Sequence, residues 1–120
     1  MTQRAVQRRW RDYRTAAGRR PVHEFITGLS LEDQAEIAAA MRDVRADGLE
    51  VARHVRGEIY EVRASGVQEE YRILFATEGT KSQVLLSLEA FSKKSQKTPP
   101  PKIALAERRL ADWRRRGKKG

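Results

Sequence analysis

The sequence predicts an α+β domain of order β-α-α-β-β-β-α, on three observations. Apolar residues recur with a period near 3.6 from Val22 to Val44, with a period near 2 from Ile59 to Phe91, and with the helical period again from Ile103 to Trp113. Turn-forming residues mark the changes: Gly18, Gly48, Ser65-Gly66, Gly79 and Pro99. The length, 120 residues, suits one small domain with one core.

Residues 5–14 carry the first strand pattern, with Val6, Arg8, Trp10 and Asp12 on one face. Pro21 suits the first turn of a short helix. Val22, Phe25, Ile26 and Leu29 give it an i, i+3, i+4, i+7 stripe. Ser30 with Asp33 resembles a capping box for a second helix. Ile37, Met41 and Val44 continue the stripe to a stop at Gly48, so the two helices form a hairpin that covers one face of the sheet. Residues 59–64, 68–77 and 84–91 read as a meander of antiparallel strands. Thr98 is expected to cap a last helix, with Pro99 in its first turn and Ile103, Ala106, Leu110 and Trp113 facing inward. The domain is read as residues 1–113. Residues 114–120, a basic run without core formers, are expected to be disordered.

The charge is uneven. The net charge is +9, but residues 1–20 carry +6 and 91–120 carry +9, while 21–90 carry −6. Basic ends of this kind attract a polyanion by steering and counterion release, and they also keep a small domain soluble. There is no Cys, so disulfides and thiolate metal sites are excluded. No pair of residues has metal-ligand spacing, so neither a metal nor another cofactor is expected. The N-terminus lacks the apolar core of a signal peptide, and no apolar run approaches the ~18 residues of a membrane span. The expected location is the cytoplasm, with no membrane partner.

Strand alternation places side chains on faces. The apolar parity, Tyr60 and Val62, then Tyr71, Ile73 and Phe75, then Val84, Leu86, Leu88 and Ala90, is expected to face the helical hairpin. The opposite parity brings Arg63, Arg72 and Glu89 together on an open face, with Glu61 nearby and Lys93, Lys94 and Lys97 on the exit from the last strand. A cationic, hydrogen-bonding hollow would result. The same residues also fit an exposed cross-strand ladder of ion pairs, each worth only a few tenths of a kcal/mol. His23 and His54 read as structural or solvent-facing, and Trp10 and Trp113 as core anchors.

Phe91-Ser92-Lys93-Lys94-Ser95-Gln96-Lys97-Thr98-Pro99 resembles the F-x-K-K-x-x-K-T-P signature of the phage-derived HigB-like branch of the RelE toxin superfamily. Tyr60-Glu61-Val62-Arg63 is similar to that branch's Y-E-L-R, and Tyr71-Arg72-Ile73 to its Y-R-I. The segment from Gly18 through Pro21-Val22 to Phe25 is similar to its G-x-x-P-V-x-x-F. The similarity runs in order from about Trp10 to Arg109. It implies a RelE-like fold and a ribosome-dependent endoribonuclease that cuts messenger RNA. It also implies neutralisation by an antitoxin with a helix-turn-helix domain. Arg63, Arg72, Lys93 and Lys94 fall on the branch's functional positions. Glu89 departs from the branch, where His is common.

Attack of a 2′-hydroxyl on phosphate suits these residues. Arg63 and Arg72 are expected to stabilise the phosphorane, because guanidinium is always charged and binds phosphate bidentately. Lys93 or Lys94 is expected to move a proton, with Glu89 as a further base candidate unless an ion pair holds it. Lys97, Arg8, Arg9, Arg11, Arg108 and Arg109 are expected to grip RNA without reading sequence. Two other functions fit the same residues: a non-catalytic basic nucleic-acid-binding module, and a degenerate toxin retained as an antitoxin partner.

Overall fold

A computed structural model describes residues 7–93 and 96–117. Its elements are β1 (Arg9–Asp12), α1 (Pro21–Thr27), α2 (Leu31–Asp47), β2 (Arg53–Arg56), β3 (Ile59–Ser65), β4 (Glu70–Glu78), β5 (Val84–Ser92) and α3 (Pro100–Gly117). Short 3-10 turns, Gly48–Val51 and Thr80–Ser82, precede β2 and β5. The five strands form one sheet in the order β1-β5-β4-β3-β2. β1 runs parallel to β5 and the other pairs are antiparallel. The fold is α+β and compatible with a RelE-like fold. β2 is the addition to the expected order: Arg53-His54-Val55-Arg56 holds one apolar residue, too little alternation to mark a strand.

Both faces of the sheet are buried. The α1/α2 hairpin packs Val22, Ile37 and Val44 against Val62, Ile73 and Phe75. On the other face, Ala106 and Leu110 of α3 pack against Ile59, Leu74, Leu86 and Leu88. β4 is therefore buried continuously from Tyr71 to Ala76, as a central strand between two layers must be. The expected open face is corrected accordingly, since α3 covers much of it.

The expected parity holds on β3 and β4 and fails on the first half of β5. Leu74 pairs with Glu89 while Phe75 pairs with Ser87, so Leu88 is an extra residue in a β-bulge. Leu86 and Leu88 thus face α3, and Leu85 faces the hairpin.

Helix ends consume several polar groups. Ser30 Oγ accepts from Asp33 N at 3.1 Å, the cap expected for α2. Gly48 ends α2 at φ +76°, and Arg8 donates to the carbonyls of Arg45 and Ala46 at 3.2 and 3.3 Å. Arg8, expected to grip RNA, is placed at the negative end of α2, which it helps to neutralise. Thr98 does not cap α3. Pro99 O accepts from Lys102 N and Ile103 N, and the Thr98 hydroxyl donates instead to Glu61.

The last helix also runs past Trp113, against the expected tail. Arg114 donates to Glu58 at 2.7 Å and to Glu78 at 2.6 Å, and those pairs hold the helix against the β2–β3 turn and β4. Residues 1–6 and 118–120 of the expected domain and tail lie outside the described residues.

A buried polar knot ties α2 to the β3–β4 turn. Asp33 accepts from Val67 N at 2.9 Å and from the Tyr71 hydroxyl. A Cβ on Gly66 would stand 2.6 Å from the Tyr71 ring and 2.7 Å from the Asp33 carboxyl. Gly66→Ala is expected to lower stability by about 1–3 kcal/mol, read as a lower urea midpoint at unchanged slope.

The same knot predicts an acid limit. The Tyr71 hydrogen bond, followed by the Val67 N–H, holds the Asp33 carboxyl below its ordinary range. Arg116 first and Tyr13 second bring Asp112 down to about 2. Both carboxyls have a lower pKa folded than unfolded. Their contribution is therefore present above the unfolded carboxylate range, near about 4, and is lost as pH falls through the folded values. The melting temperature is expected to fall between about pH 5 and pH 2, less steeply in Asp33→Asn. The Tyr71 hydroxyl is pushed up to about 12, chiefly by Asp33.

Candidate active site

Register brings the expected site residues to one face. Arg63 on β3 stands opposite Arg72 on β4, which stands opposite Phe91 on β5. One step along, Glu61 and Glu89 flank Leu74, and Arg53 on β2 stands opposite Glu61. Directly opposed like charges are unfavourable, so the Arg63–Arg72 pair needs an anion between them. Glu61 supplies it. The Arg63 Nε donates to Glu61 Oε2 at 2.8 Å, and an Arg72 terminal nitrogen lies 4.0 Å from Glu61 Oε1. The Thr98 hydroxyl donates to the same oxygen.

Burial grades through this cluster. Glu61 is 1% exposed and Arg72 2%, while the Arg63 side chain is 32% exposed. Burial, and then repulsion from Arg63, pushes the Arg72 guanidinium below its ordinary range. Arg72, expected to stabilise the phosphorane, is thus placed in the interior. Its charge lies beneath the surface, where it raises the local potential. Arg63 is the guanidinium that reaches solvent. Gln96 fixes it from outside: Oε1 and the main-chain O accept from the two terminal nitrogens at 2.9 and 2.7 Å. Among the described residues, three of the five guanidinium N–H groups are thus committed, leaving one on each terminal nitrogen.

A hollow of about 320 Å³ opens beside this cluster, between β2 and the segment before α3. Arg53, His54 and Val55 form one wall, and Gln96, Lys97 and Thr98 the other. Lys97 is exposed. Lys93 is half-buried, and its N–H donates to Glu70 O at 2.9 Å, extending the β4–β5 pairing by one residue. Lys94 lies outside the described residues.

Glu89 shares the face but is held elsewhere. It is 8% exposed, and Lys102 Nζ and an Arg109 terminal nitrogen contact its two oxygens at 2.9 and 3.2 Å. Glu89, expected as a base candidate unless an ion pair holds it, is held here by two ion pairs. Arg109 also donates to Leu88 O at 2.7 Å and lies over the Tyr13 ring. Arg109, expected to grip RNA, is thus placed where it pins α3 to β5.

Arg9, Arg11 and Arg108 are exposed, and Arg11 lies over the Trp113 ring at 5.2 Å. β1 and β2 are opposite edges of the sheet, so the β1 arginines stand roughly 19 Å from the β2 wall, four strand spacings away. They are not brought to the hollow.

The sequence reading missed Arg53, Gln96 and Thr98. Arg53 carried no signal, because the single apolar residue of Arg53-His54-Val55-Arg56 gives no alternation to read. Gln96 and Thr98 sit in a loop, where no periodicity marks direction. Among the described residues, no three His, Asp or Glu side chains gather as a metal site. Nor is any described helix long and apolar enough to cross a membrane.

A family model described as phage derived protein Gp49-like (DUF891) matches residues 24–111. That span runs from α1 to the last turns of α3 and contains every residue of the Arg63 cluster. No curated protein matches the chain.

Proposed function

From the premise that the chain belongs to the Gp49-like phage-derived family, part of the RelE/Gp49 toxin superfamily, we propose that it is the toxin of a toxin–antitoxin pair and a metal-independent endoribonuclease. Its substrate is messenger RNA on the ribosome, in the cytoplasm, as in the HigB-like branch. A helix-turn-helix antitoxin neutralises it.

The observation that carries this reading is the held guanidinium of Arg63, oriented by Glu61 and by Gln96, a residue that also lines the cationic hollow beside it. The 2′-hydroxyl gives its proton to water, its oxygen attacks phosphorus, a 2′,3′-cyclic phosphate forms, and the bond to O5′ breaks. Arg63 takes the charge that builds on the non-bridging oxygens, and it is already oriented when the charge develops. Arg72 and Arg53 raise the positive potential around it, and burial strengthens the field of Arg72. Lys93, which follows β5, or Lys94 supplies the proton to O5′. Lys97 holds the flanking backbone.

A second reading, a degenerate toxin that binds its antitoxin without cutting, draws on Glu89. That carboxylate stands where relatives often carry His and is committed to Lys102 and Arg109. Mapping of RNA 5′ ends in translating cells after induction separates the two. Cuts within codons that vanish in Arg63→Ala are the expected result. Uncut messages beside growth arrest or tight antitoxin binding refute the nuclease.

A further inference from the structure

β1 is an edge strand, and its outer side is open to a groove. Arg9 N and Tyr13 N donate inward to Gln83 O and Ser87 O at 2.9 Å each. In a parallel pair the alternate residues then direct their main-chain groups outward, so Trp10 and Asp12 present N–H and C=O to the groove. The groove encloses about 680 Å³ between α1 and the C-terminal end of α3.

Its walls are cationic. Arg11, Arg14, Arg20 and Arg116 line it, with Asp12 as the lining carboxylate. Asp12 answers Arg20 at 2.6 Å, and Asp112 answers Arg116 at 2.7 Å. Arg11 and Arg14 are exposed, and neither is ion-paired among the described residues. Trp10 and Trp113 supply an apolar floor beneath these charges. An edge of alternating donors and acceptors, unanswered positive charge and an apolar floor coincide here. Together they match an extended peptide with acidic and apolar side chains in alternation.

Nucleic acid fits less well. Arg11 already covers the Trp113 ring, while Trp10 donates its indole N–H to Met41 O at 2.8 Å and packs edge-on against Phe75. The indoles are therefore packing groups and not bare platforms for stacked bases. A strand edge repeats every two residues, about 6.8 Å, in a pattern that a peptide backbone matches and a phosphate chain does not.

We propose that this groove binds an extended acidic segment of a partner protein, added beside β1 as a sixth strand. The proposal rests on the toxin reading only in giving that segment to the neutralising partner. The site stands across the sheet from the Arg63 hollow, so it anchors the partner at a second place.

The test uses the full chain and a fluorescein-labelled peptide of alternating Glu and Val, followed by anisotropy. Saturable binding is expected. Arg14→Glu should weaken it about tenfold or more, and Arg14→Lys should restore most of it. A peptide N-methylated at alternate residues should also bind at least about tenfold more weakly, because it cannot pair with a strand edge. Arg63→Ala removes cleavage and leaves peptide binding intact, so the two readings fail separately. Absence of binding overturns the proposal, as does equal binding of the N-methylated peptide, which reduces the groove to a charge patch. Preferential, Arg14-dependent binding of labelled oligouridylate also overturns it and assigns the groove to nucleic acid.

Discussion

Arg63→Ala is expected to reduce RNA cleavage by about two to three orders of magnitude, the scale of losing one preorganised transition-state donor. The loss should appear in kcat more than in KM, since the cations lining the hollow, Arg53 and Lys97, are left in place. Arg63→Lys is the informative companion. It keeps a charge but cannot make the planar contacts to Glu61 Oε2, Gln96 Oε1 and Gln96 O together. Cleavage between the wild type and alanine is expected for it. Circular dichroism and the melting temperature guard against a folding artefact, because truncation also takes a partner from buried Glu61. Cleavage by Arg63→Ala within about twofold of wild type would falsify the assignment of Arg63 as the phosphate clamp.

The pairing of Arg63 with Arg72 was legible in the sequence because strand alternation is rigid. Arg63 and Arg72 lie on the polar parity of two adjacent strands joined by a short turn, and a shared buried face leaves that pairing little room to slip. Burial was less legible. The sequence marks Ile103, Ala106 and Leu110 as an inner stripe but does not say which sheet face receives it. Once α3 covers the polar parity, Arg72 and Glu61 become interior charges and only Arg63 keeps an exit to solvent. The bulge at Leu88 was hidden for a related reason: a run of apolar residues has no parity to read when both faces are apolar. Cationic side chains that serve the scaffold were the least legible. Arg8, Arg109 and Arg114 are spent on helix ends and ion pairs that exist only after folding. A count of charges treats them as equal to Arg11 and Arg14, which face solvent.

Glu61→Ala is expected to be the most destabilising single change in the site. It removes the carboxylate that does most to favour the charge of buried Arg72, the Nε partner of Arg63 and the acceptor of the Thr98 hydroxyl. Breaking a buried pair from one side costs about 3–5 kcal/mol. Set against a total stability of about 5–15 kcal/mol, that loss can unfold a fraction of the chain at 37 °C. Glu61→Gln preserves shape and one acceptor, and about 1–3 kcal/mol is expected for it. The pair Glu61→Leu with Arg72→Met removes both charges at once. It is expected to recover most of the stability lost in Glu61→Ala, because no charge is then stranded in the interior. Urea midpoints for the four proteins measure this coupling. Cleavage separates the two roles of the buried charges. The double variant should fold yet cut poorly, since Arg63 has lost the carboxylate that aims it and the potential beneath it. A double variant with wild-type cleavage would mean that the buried pair serves the scaffold alone.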